Sequence, residues 1–174
     1  MSGRAGALRL RLGRPQDAAA IGVLVRRVAR RWVLPDQPQS AGRALLKRLG
    51  ARAIRARMEE GQRFHLAYMG MTLVGVAAMR DDCHLVQLFV GTRHQGQGIG
   101  RRLWMCAMRD AVRRAGTRRF TLNASRCAVP IYLQLGFSPV GAERPSPGGM
   151  LTTPMVFTRG GSRHWRRSGH NERP

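Results

Sequence analysis

Lysine is almost missing from this chain: Lys47 stands alone beside thirty arginines in 174 residues. Acids are scarce too, nine in all, so the formal charge at neutral pH is +22. That balance excludes an acidic, cation-collecting protein and makes polyanions the first partners to weigh. Compositional drift of a source genome toward arginine would leave the same mark. Aromatic residues number ten, too few for the interleaved stacking platforms of single-strand nucleic-acid binders. Cysteine is limited to Cys83, Cys106 and Cys127, an odd and widely spaced set without a C-x-x-C pair. It argues against a disulfide framework or a zinc site, gives no reason to expect a metal, and favours a reducing, cytoplasmic compartment. Long hydrophobic runs are absent as well. The run near the start, Ala18 to Val25, is eight residues against the roughly 18 a membrane span needs, so no membrane partner is expected.

What is present suits one globular domain. Apolar residues make up 43% of the chain, enough for a core, and the length fits a single compact unit. Residues 1–159 read as that domain. Residues 160–174, rich in glycine, serine and arginine without apolar periodicity, read as a disordered basic tail. Arg4, Arg9, Arg11 and Arg14 suggest a transit peptide at first sight, but Leu8, Leu10 and Leu12 alternate with them at period two, which is a strand pattern.

The elements then alternate in type. Pro15 opens a first helix carrying Ile21, Leu24, Val25, Val28 and Trp32, and Pro35 and Pro38 break the chain after it. Ser40 is the expected N-cap of a second helix with Leu45, Leu46, Leu49, Ile54 and Met58, interrupted near Gly50. Phe64–Tyr68, Thr72–Met79 and Cys83–Val90 read as strands joined by tight turns at Met69-Gly70 and Asp81-Asp82, hence as antiparallel neighbours. Ile99, Leu103, Ala107, Ala111 and Val112 mark a helix that Gly116 ends, with Asp110 placed to pair with Arg114 on its wet side. Phe120, Leu122 and Ala124 alternate as a further strand, and a short helix follows from Ala128 to Leu135 with Pro130 in its first turn. Phe137–Val140 and Leu151–Thr158 suggest a closing hairpin with Pro154 at an edge or bulge.

The informative stretch runs from Leu88 to Trp104. A buried strand leads into a loop with glycines at 96, 98 and 100, and a helix begins inside the last of them. Glycines leave no side chain between backbone N–H groups and a ligand, and a helix start adds unpaired donors and partial positive charge. The loop therefore suits a phosphate or pyrophosphate, although a tight helix entry can also carry glycines for packing alone. No lysine or Ser/Thr follows these glycines, which excludes a Walker A loop. The loop also comes after hairpin-joined strands rather than in a first βαβ unit, which excludes the dinucleotide fingerprint.

Here the chain resembles the GNAT superfamily of N-acetyltransferases. The family's acetyl-CoA motif R/Q-x-x-G-x-G/A is met by Arg93 through Gly96 to Gly98, overlapped by a second match from Gln95 through Gly98 to Gly100. Asn123, Ala128, Tyr132 and Leu135-Gly136-Phe137 match a second block independently, and the element order agrees from Leu8 to Thr158. The resemblance implies an α/β (α+β) fold: a mixed, mostly antiparallel sheet of about seven strands flanked by about four helices.

It also implies roles. Leu88, Phe89 and Val90 would offer backbone groups to the pantetheine arm of acetyl-CoA, the cosubstrate. Arg93, Gln95, Gly96, Gln97, Gly98, Ile99, Gly100 and Arg101 would cradle the pyrophosphate, and Asn123 would bond to the cofactor or an ordered water. Tyr132 would protonate the departing thiolate, since a phenol stays protonated at neutral pH. A core tyrosine is its plainer role.

The nucleophile must lose a proton, because an alkylammonium of reference pKa about 10.4 is almost entirely charged at neutral pH. His84 is the candidate base, expected to share a strand face with Val86, Leu88 and Val90. Asp82, Glu59, Glu60 and a water chain are the alternatives. A backbone N–H near Val90 would meet the oxyanion. Transfer through an acyl-Cys127 would need a Cys/His/Asp arrangement that is not legible, so direct attack in a ternary complex is the expected route. The acceptor is an amine of unknown identity, and the chain is expected to act as monomer or homodimer. A basic module binding nucleic acid or another polyanion is the competing reading; the charge permits such a partner without requiring it.

Overall fold

The computed structural model describes residues 7–160, so the tail expected from Gly160 lies outside the described residues except for that glycine. Leu8–Leu12 forms β1, and Pro15 opens a one-turn 3-10 helix before α1, Ala18–Val28. A π-helical turn over Ala29–Val33 and a 3-10 turn over Leu34–Asp36 carry the chain past Pro35. Two helices follow, α2 at Gln39–Arg48 and α3 at Ala51–Glu59. Then come β2 (Arg63–Met69), β3 (Thr72–Arg80) and β4 (His84–Val90), the helix α4 (Ile99–Ala115), β5 (Arg119–Ala124) and α5 (Val129–Gln134). The chain closes with β6 (Ser138–Pro139), β7 (Arg144–Pro145) and β8 (Leu151–Thr158).

These strands form one sheet in the order β1-β2-β3-β4-β5-β8-β6, with β7 also on β8. Every pairing is antiparallel except β4 with β5, which are parallel and joined at one residue pair, His84 with Thr121. Helix α4 covers one face over a core of Leu103, Trp104, Phe120 and Leu122, and α5 sends Tyr132 into the same core. On the other face Ile21 and Val25 of α1 and Ile54 of α3 pack on Phe64, Leu66 and Val76. The α4 core is aromatic: Trp104 meets Phe120 edge-on at 5.3 Å and Phe137 at 4.9 Å.

A bulge in β4 changes its side-chain parity. Ala78 pairs with Gln87 and Met79 with Leu85, so Val86 is an extra residue. Leu85 therefore joins Leu88 and Val90 on the α4 face, while His84, Gln87 and Phe89 lie on the α1 face. His84 thus does not share a face with Leu88 and Val90, contrary to the unbroken period-two expectation.

Three further expectations change. Pro38, not Ser40, caps α2, and the break at Gly50 is complete enough to make two helices. Pro154 lies inside β8, paired with Asn123 in an interior strand. Its carbonyl accepts from the Val140 N–H, so its own nitrogen points the same way, past the end of β6, and no β5 bond is lost. Asp110 is buried at 6% exposure rather than wet. It reaches across to β2, accepting from Arg63 Nε at 2.6 Å and from Arg113 at 2.8 Å, while Arg114 pairs with Asp82 instead. Helical spacing alone does not reveal a partner on another element.

Candidate active site

Because β4 and β5 share a single bridged pair, they part immediately after His84 and leave a cleft of about 1410 Å³ between them. The edge of β4 that faces β5 has no strand to bond to along Leu88–Val90. One of its carbonyls, that of Val90, is met by the Gln95 side-chain amide at 3.0 Å.

The glycine loop closes one end of the cleft. Gly96 and Gly98 have φ of 75° and 74°, in the left-handed region, and a Cβ at either would meet no atom within 4 Å. Backbone conformation rather than crowding therefore calls for glycine there. Gly98 caps α4, and the backbone N–H groups from Gln95 to Arg101 have no protein acceptor among the described residues. A run of free amides at the start of a 17-residue helix fits the phosphates of a coenzyme. Gly75 permits the close approach of α4: a Cβ there would lie 2.8 Å from Leu103 Cδ1.

Among the residues expected from the sequence, His84, Leu88, Phe89 and Val90 line the cleft on β4. Gln95, Gly96, Gly98, Ile99, Gly100 and Arg101 line it at the loop, and Asn123 and Tyr132 from β5 and α5. Arg93 and Gln97 do not. Gln97 Nε2 instead donates to the Arg93 carbonyl at 3.4 Å, an exposed contact within the loop.

Tyr132 is 8% exposed, and its ring packs edge-on against Phe137 at 5.7 Å. Burial, with a smaller contribution from Cys127, pushes its hydroxyl well above the usual phenol range, so it keeps its proton. Cys127 itself is exposed, its sulfur 3.4 Å from the Ser125 hydroxyl, and no imidazole hydrogen-bonds to it among the described residues. His84 Nδ1 meets Thr121 Oγ1 at 2.7 Å. Burial first, then the positive charge of Arg80, lowers its pKa, so the imidazole is neutral near pH 7. Of the alternative bases, Asp82 is engaged by Arg114 and by the turn, where Asp81 and Asp82 take φ of 54° and 50°.

The other end of the cleft holds residues that the sequence reading passed over. Arg48, Arg57, Gln62 and Gln87 line it, and two of their side-chain atoms, Gln62 Nε2 and Gln87 Oε1, are buried without a hydrogen-bond partner among the described residues. A glutamine in a strand carries no sequence signal of this kind; the orphan atoms exist only once the chain is folded. The Trp32–Ser40 connection is tied down at two points. Trp32 Nε1 donates to Thr92 Oγ1 at 3.2 Å, and the Gln37 amide exchanges two hydrogen bonds with the Leu151 backbone at 3.0 and 2.7 Å.

Comparison with known proteins agrees with this geometry. The family model described as an acetyltransferase (GNAT) domain matches residues 33–159. Among solved structures, a GCN5-related N-acetyltransferase from Rhodopseudomonas palustris superposes with a TM-score of 0.76 at 20% identity, over 91% of this chain and 99% of that one. The PaiA N-acetyltransferase from Thermoplasma acidophilum, in complex with coenzyme A, gives 0.70 at 13% identity over 87% and 99%. YncA from Salmonella typhimurium, with its cofactor acetyl-CoA, gives 0.62 at 18% identity over 97% and 98%. No curated protein sequence matches significantly.

Proposed function

The chain belongs to the GNAT acetyltransferase family and is an acyltransferase, and from that premise we propose that it moves an acetyl group from acetyl-CoA to a primary amine by direct attack in a ternary complex. The observation that carries the proposal is the run of free backbone amides from Gln95 to Arg101 at the mouth of the β4/β5 cleft, with Tyr132 lining the same cleft. The coenzyme A and acetyl-CoA bound by two of the structures above support the same cosubstrate here.

The chemistry divides among named groups. The neutral amine attacks the thioester carbonyl, a C–N bond forms and the C–S bond breaks. Tyr132 gives its proton to the departing sulfur; burial holds the phenol protonated, so that proton is available as charge gathers on the thiolate. His84, on the α1 face of β4, takes the proton released by the amine through water. Its Nδ1–H donates to Thr121 in that role, leaving Nε2 free to accept. Arg101 adds charge to the phosphate end, and Asn123 bonds to the coenzyme or an ordered water.

Thermal unfolding with and without acetyl-CoA at moderate salt tests the proposal. A ligand at 100 times its Kd stabilises by about 2.7 kcal/mol, an upward shift of several degrees. Thiol release on adding amines follows. No shift with acetyl-CoA or CoA sinks the reading, and a steeply salt-dependent affinity for nucleic acid in its place favours a polyanion-binding module.

A further inference from the structure

The arginines of the cleft are not all neutralised by the fold. Arg63 is held by Asp110, Arg80 by Asp81 and Arg114 by Asp82. Arg48 and Arg57, at the end away from the glycine loop, have no carboxylate within salt-bridge distance among the described residues. Arg57 is half-buried. Its Nε and Nη2 donate to the Ala53 and Arg48 carbonyls at 3.1 and 2.6 Å, which leaves Nη1 uncommitted. The Arg48 guanidinium lies against the β7–β8 loop, where a Cβ on Gly148 would be 3.1 Å from it.

A half-buried guanidinium with a like charge beside it, as Arg57 has in Arg48, costs free energy unless a counter-charge is supplied. A second, independent observation sits beside them. The Gln62 N–H donates to the Arg57 carbonyl at 2.8 Å, and the Gln62 side-chain nitrogen is a buried donor without a partner among the described residues. Gln87 on β4, 5% exposed, presents the complementary orphan, an acceptor oxygen. Glu60 supplies one negative charge to this part of the cleft against the two guanidiniums, which leaves room for one more.

We propose that the acceptor is an amine that also bears a carboxylate. The carboxylate takes donors from Arg48, Arg57 and the Gln62 amide, and the amine nitrogen donates to Gln87 Oε1. The inference rests on the acyl-transfer reading only in calling this ligand the acceptor.

Binding, rather than turnover, tests it. The full chain saturated with CoA is titrated calorimetrically with N-acetylglycine, 4-acetamidobutyrate and 6-acetamidohexanoate, each alongside its primary amide. At least one acid binds about tenfold or more tightly than its amide, as expected for a charge-assisted contact. Arg57→Gln erases the preference, costing the acid far more affinity than its amide. Arg48→Gln, at an exposed position, carries the same comparison if Arg57→Gln disturbs α3. Equal affinity for acids and amides, a preference that survives both substitutions, or no binding by any probe overturns the inference. An intact preference in a protein that acetylates no amine overturns acetyl transfer and leaves the carboxylate site standing.

Discussion

His84 and Thr121 are bonded side chain to side chain at 2.7 Å across the one bridged pair of β4 and β5. The same two residues therefore close the sheet at the foot of the cleft and orient the imidazole. If His84 is the base, kcat/KM falls as pH drops through its pKa, which burial holds below the usual histidine value. His84→Gln lowers kcat by roughly 10²-fold and removes that acid limb. Thr121→Val keeps the limb but weakens it, by freeing the tautomer. Identical pH profiles for wild type and His84→Gln assign the proton to another group.

Tyr132→Phe removes one hydroxyl and keeps the packing against Phe137. Turnover falls roughly 10² to 10³-fold while the Kd for acetyl-CoA, read by calorimetry, stays within about twofold. An unchanged kcat excludes the phenol from the proton transfer.

Gly98→Asp places a Cβ at φ of 74° and a negative charge among the free amides. The backbone cost is about 1–2 kcal/mol, and acetyl-CoA affinity drops at least tenfold by like-charge repulsion. Gly116→Asp, at a left-handed position at the opposite end of α4 from the glycine loop, carries a similar strain and is expected to leave the affinity intact.

Asp110→Asn leaves Arg63 without its counter-charge beneath α4 and costs about 2 kcal/mol in urea unfolding. Burial opposes the Asp110 charge, but Arg63 and Arg113 outweigh it and hold its pKa below the usual carboxylate value. Its contribution is therefore present above the unfolded-chain pKa of about 4 and is lost as pH falls through the folded one. His65 acts in the same direction at higher pH. Burial lowers its pKa against the pull of Asp110, so below about pH 6.5 the unfolded chain binds the proton first and stability declines. His65→Gln flattens that decline between about pH 7 and 5; an unaltered slope assigns it to other groups.

Much of this protein is written locally. Period-two alternation located β1 and β5, β-rich runs between tight turns located β2 to β4, the 3.6-residue period located α1 and α4, and Gly116 ended α4 in a left-handed turn because no side chain there opposes one. The spacing of Gly96, Gly98 and Gly100 before an apolar helix pointed to the phosphate end of the cleft, because the requirement for bare amides at a helix start acts within a few residues of chain.

What the fold alone decided depends on elements distant in sequence. The extra residue at Val86 is set by β3 pairing, and it moves His84 to the face of Gln87 and Phe89. Asp110 has an i+4 arginine available, yet it is engaged by Arg63, which folding brings across from β2. The low lysine and high arginine content could not distinguish neutralised from unneutralised cations. Folding pairs Arg63, Arg80 and Arg114 with acids and leaves Arg48 and Arg57 together at the end of the cleft without a salt-bridged one among the described residues. Charge is a sum over the sequence, whereas its compensation is a matter of distance.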